Sequence, residues 1–117
     1  MIKYVFRMPV FPIIMELDST VIAARSRQDL EKKLSGMILL PSRKYGGVDS
    51  TGEAWDLYAD GMMLSPLTLR SRATKLQLIR LVNGRKNRNQ TGMPYSEKSL
   101  SVKTFKRVFE ELVNMVV

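Results

Sequence analysis

The last seventeen residues, SVKTFKRVFEELVNMVV, place Val102, Phe105, Val108, Phe109, Leu112, Val113 and Val116 at intervals of three and four. That is the period of a helix with a single apolar stripe. Such a helix gains most of its stability by burying the stripe against something else. The rest of the chain must therefore supply a surface for it.

The first half supplies patterns of the other period. In IKYVFRM, Ile2, Tyr4, Phe6 and Met8 alternate with Lys3, Val5 and Arg7, as in a half-buried strand. Pro9 and Pro12 end that strand or confine it to an edge. IIMEL and TVIAA surround the polar pair Asp18-Ser19, which suggests a hairpin or a strand with a bend. RKYGGVDSTGEAWDLYAD suggests a second one, with turn chemistry from Asp49, Ser50 and Gly52. MMLSPL is a further strand or an extended passage into the second half.

Two more helices carry start signals. Ser26 followed by Asp29 opens a helix over 26–36, with Leu30, Leu34 and Met37 on one face and Gly36 near its end. Thr74 and Gln77 form a capping box for a helix over 74–83, and Gly84 terminates it. The third helix is expected over 101–116. Strands followed by helices in 117 residues predict one α+β domain spanning 1–117. Its expected form is an antiparallel sheet of three to five short strands in the N-terminal half, packed against about three helices.

Neither cysteine nor histidine occurs. Disulfides, thiolate metal sites and a cysteine nucleophile are thereby excluded. Serine–histidine triads and zinc sites of the usual kinds are excluded too. The balance is against an enzyme, and no cofactor or metal site is expected. Asp49, Glu53, Asp56 and Asp60 are the only acidic set worth weighing for a hard cation. Without a ligand pattern, they read as a turn and a solvated strand face. No run reaches the length of a membrane span. Lys3 precedes a partly apolar run, but Arg7, Pro9 and Pro12 interrupt it and Glu16 follows. Folded structure in a cytoplasmic protein is expected there, rather than a leader.

The net charge of +8 is unevenly placed. Residues 1–66 hold eight basic and eight acidic side chains, whereas 67–117 hold eleven basic ones against Glu97, Glu110 and Glu111. Arg70, Arg72, Lys75, Arg80, Arg85, Lys86 and Arg88 fall within 19 residues that contain no acid. Lys103, Lys106 and Arg107 crowd the start of the last helix, where the helix dipole prefers acids. Arginine forks suit phosphate oxygens, and free amides at a helix start add to an anion site.

A helix-turn-helix is excluded by spacing. Sixteen residues separate Gly84 from Ser101, where that motif needs a turn of three or four. The sequence therefore points to a non-enzymatic nucleic-acid-binding module, contacting the phosphates of DNA or RNA through these ten cations. An acidic protein partner is the alternative, for an inhibitor, an adaptor or the cognate of a toxin. A small basic ribonuclease using Tyr95 among cations, or a metal-dependent nuclease, comes next. Met62-Met63 and the NMVV tail fit either the core or a homodimer seam.

Overall fold

The computed structural model describes residues 2–85, 94–98 and 100–116. Strands β1 (Lys3–Tyr4), β2 (Ile13–Leu17), β3 (Thr20–Ala24), β4 (Lys44–Asp49), β5 (Ala54–Tyr58) and β6 (Met63–Pro66) form one sheet. Their spatial order is β1-β6-β5-β4-β2-β3. Helices α1 (Arg27–Ser35), α2 (Lys75–Asn83) and α3 (Phe105–Val116) complete an α+β fold.

Two expectations about the sheet need correction. It has six strands among the described residues, and it is mixed rather than antiparallel. β1 runs parallel to β6, with Lys3 opposite Met63 and Tyr4 opposite Leu64. A parallel pair is joined by no turn, so no local turn signal could reveal it. The alternation of IKYVFRM also yields only two strand residues. Phe6 turns the backbone to φ 68°, and Pro9 and Pro12 follow, the Phe11–Pro12 peptide being cis.

The hairpins form as their turn residues direct. Asp18 takes φ 60° in the β2–β3 turn, a conformation its short polar side chain tolerates. The register then pairs Leu17 with Thr20 and Ile13 with Ala24. In the β4–β5 turn the Asp49 carboxylate accepts from the Thr51 amide and hydroxyl and from the Glu53 amide. It also accepts from the Val10 amide and from the Trp55 indole, and is itself completely buried.

Alternation along the strands divides the interior in two. Ile13, Met15, Leu17 and Ala24 face α1 and meet Leu30, Leu34, Tyr45, Trp55, Leu57 and Leu64. Ile14, Val21 and Ala23 face the other way, onto Leu78, Ile79 and Val82 of α2 and Val108, Phe109, Leu112 and Val113 of α3. β2 and β3 are therefore apolar on both faces, and their runs read as nearly continuous rather than alternating. The helical cover of the second face reaches Val48. Beyond it, Gly46, Tyr58 and Met63 of that same face are exposed.

α1 is capped as its sequence suggests, with the Ser26 hydroxyl accepting from the Asp29 amide at 3.1 Å. The Asp29 carboxylate reaches one residue further back than a capping box requires and takes the Arg25 amide. α2 closes a complete capping box between Thr74 and Gln77. α3 begins later than expected, at Phe105 instead of Ser101. Leu100–Val102 form a short 3-10 turn, and the Thr104 hydroxyl caps the helix by accepting from the Arg107 amide at 3.1 Å. Val102 is 77% exposed and stands apart from the apolar stripe. Among the described residues no helix is long and apolar enough to cross a membrane.

Candidate nucleic-acid interface

The link between β6 and α2 runs beside the β4–β5 turn. The Ala73 amide donates to the Gly52 carbonyl at 2.8 Å. The Arg72 guanidinium donates through Nη1 to the carbonyl and hydroxyl oxygens of Thr51, at 2.9 and 2.7 Å. Arg72 is thus held in place while its residue stays exposed, and Arg70 is exposed two positions before it. Both line a cleft of about 600 Å³ between the sheet and the start of α2, together with Glu16.

Lys75 is used internally. Its ammonium donates to the carbonyls of Leu100 and Lys103, at 2.5 and 2.7 Å, and so ties the 3-10 turn to the first turn of α2. Arg80 is exposed and lies 3.5 Å from Glu97. Arg85 donates through Nη1 to the Val82 carbonyl at 2.6 Å, where a helix end has carbonyls to spare. Lys86 and Arg88 lie outside the described residues.

The far end of this basic stretch is firmly docked. Asn83 clamps the Tyr95 backbone from both sides, its amide group donating to the carbonyl and its oxygen accepting from the N–H, at 3.0 and 2.8 Å. The Tyr95 hydroxyl donates to Glu111 of α3 at 2.5 Å. Lys103 lies over the Tyr95 ring and donates to both the tyrosine and the glutamate, at 3.1 and 3.0 Å. Lys103 therefore sits outside α3, folded back onto a partner. Nothing in the residue types near 95 signals this clamp, because Asn83 reads simply as the last residue of a helix.

On α3, Lys106 and Arg107 are exposed. Arg107 pairs with Glu111, one turn on, at 3.7 Å. Glu110 takes a tertiary partner, since Arg25 reaches it at 3.2 Å and also bonds Asn114. The ten cations thus separate by role. Arg70, Arg72, Arg80, Lys106 and Arg107 face solvent, whereas Lys75 and Lys103 hold α2, α3 and the intervening chain together.

The acidic set does not converge. Asp49 points into the α1 side of the sheet, and Glu53 pairs with Arg7 at 2.5 Å. Asp56 lies on the opposite face, 3.6 Å from Lys44. Among the described residues no group of three or more potential ligands is placed to hold a metal ion.

The docked cluster carries a pH dependence. The Tyr95 hydroxyl, and then the Lys103 ammonium, hold the Glu111 carboxyl below its ordinary range. The same contacts, tyrosine first, raise the Lys103 ammonium. A lowered carboxyl stabilises the fold fully above the ordinary carboxylate range and loses that contribution as pH falls through the lowered value. A raised ammonium keeps its contribution below the ordinary lysine range, so neutrality leaves both intact. Acidification below about pH 4 should therefore loosen Tyr95 from α3, seen as a shift of its ring signals by NMR. Glu111→Gln should flatten that response.

The chain matches no protein-family model, no curated protein and no solved structure.

Proposed function

We propose that this protein is a non-enzymatic nucleic-acid-binding module that contacts phosphates through its basic C-terminal half and works in the cytoplasm. One observation carries this. The whole net charge belongs to residues 67–117, no acid occurs between Asp60 and Glu97, and Arg70, Arg72, Arg80, Lys98, Lys106 and Arg107 of that half are exposed to solvent. The contact set is Arg70, Arg72, Arg80, Lys106 and Arg107. Arg85 and its neighbours Lys86 and Arg88 extend it along the chain.

Binding of this kind is driven by release of counterions, so its logarithm falls linearly with the logarithm of salt concentration. The slope is about −0.9 for each phosphate neutralised on duplex DNA. Replacing Lys106 and Arg107 together by glutamine should reduce that slope by about 2, with the melting temperature little changed. Fluorescence anisotropy of a labelled duplex, titrated at several salt concentrations, measures the slope, and a thermal melt measures the stability. No binding tighter than about 10⁻⁴ M at low salt would overturn the proposal and leave an acidic protein partner as the use of this charge.

A further inference from the structure

Gly46 is a strand glycine that the fold does not require. It lies in the middle of β4, paired with Asp56, and its φ is not positive. A Cβ built on it meets nothing within 4 Å. Its neighbour Gly47 is the opposite case, since a Cβ there would come within 2.3 Å of the buried Met15 sulfur. Packing therefore explains Gly47 and leaves Gly46 unexplained. A strand glycine with open space above it often marks close approach by a ligand or another backbone.

The open space is the cleft that Arg70 and Arg72 line. Gly46, Val48 and Ala54 of the sheet contribute small side chains or none, and Leu78 and Leu81 of α2 form the apolar wall. Glu16 comes from β2 and the two arginines from the β6–α2 link. A cleft with an apolar wall, a carboxylate acceptor, a pair of cations and the polar side chains of Ser71, Thr74 and Gln77 suits a molecule that has an apolar face, carries N–H donors and is also anionic. An acidic peptide would meet Glu16, and a basic peptide would meet the arginines.

We infer that this cleft takes one nucleotide of a single-stranded nucleic acid. An amino-bearing base lies over Gly46 with its exocyclic N–H donated to Glu16, and its phosphate lies on Arg70 and Arg72. This rests on the nucleic-acid function proposed above and adds the strand state and the base class. A paired base has its edge bonded to its complement and its faces stacked, whereas single-stranded bases are free to lie on protein surfaces and present their edges.

The test uses labelled oligonucleotides of about 12 residues, oligodeoxycytidine and oligothymidine, together with a mixed-sequence duplex. The wild-type chain should bind the cytidine strand about tenfold more tightly than the thymidine strand, and Glu16→Ala should remove that preference. Gly46→Val should weaken binding to the cytidine strand about tenfold while duplex binding and the melting temperature hold. Should Gly46→Val fold poorly, Arg70→Gln at an exposed position should weaken single-strand binding more than duplex binding. Wild-type affinity for the cytidine strand in both variants, with duplex binding intact, would overturn the cleft alone. Absence of binding to every oligonucleotide would overturn it together with the proposed function.

Discussion

Asp49→Ala is expected to cost about 3–5 kcal/mol of stability, a large share of the roughly 5–15 kcal/mol available to a domain of this kind. The Asp49 carboxylate is completely buried and accepts five hydrogen bonds, from Val10, Thr51 twice, Glu53 and the Trp55 indole. Alanine would leave the Trp55 N–H without an acceptor inside the core, at about 1–3 kcal/mol for that donor alone. The turn amides can turn to water, but only by opening the β4–β5 hairpin, to which Arg72 and the β6–α2 link are tied. Asp49→Asn keeps one acceptor and should cost about half as much. Denaturant unfolding monitored by the single tryptophan provides the measurement. An alanine variant within about 1 kcal/mol of wild type would show that the carboxylate is not the organiser of this turn.

Phe109→Ala should cost a comparable amount, about 3–5 kcal/mol. Phe109 is 1% exposed, lies in the core shared by α2, α3 and the β2–β3 hairpin, and packs against Phe105 with ring centroids 5.9 Å apart. Removing it opens a void that the flanking strands cannot close, because the α1 core behind them holds β2 and β3 from their other face. Phe109→Leu keeps most of the volume and should cost less than about 1.5 kcal/mol. Thermal melts of the two variants give the comparison.

Local chemistry made much of the fold legible. Ser26 and Thr74 started their helices because a hydroxyl at that position satisfies an amide left free by helix geometry. Asp18-Ser19 turned the first hairpin for a similarly short-range reason. The last helix starts four residues later than its apolar period suggests, because Val102 matches that period without being buried. Thr104 decided the start through one hydrogen bond that periodicity does not encode. The candidate site was legible only as a charge imbalance, and composition cannot separate a cation facing solvent from one facing a carbonyl. Lys75 and Lys103 look like the other cations in sequence, and the fold turns both inward.

The sequence by itself determined the class of fold, the three helices, the hairpins and the placement of all the excess charge in the second half. These follow from interactions between residues at most a few positions apart, or from counting. Tertiary structure alone decided the parallel β1–β6 pair, the Asn83–Tyr95–Glu111 clamp and the cleft over Gly46. Each of these joins segments distant along the chain, through contacts that no local period records. Gly46 and Gly47 show this most directly: adjacent and identical in sequence, a Cβ at Gly47 would run into Met15 whereas a Cβ at Gly46 would meet open space, because successive strand residues face opposite sides of a sheet.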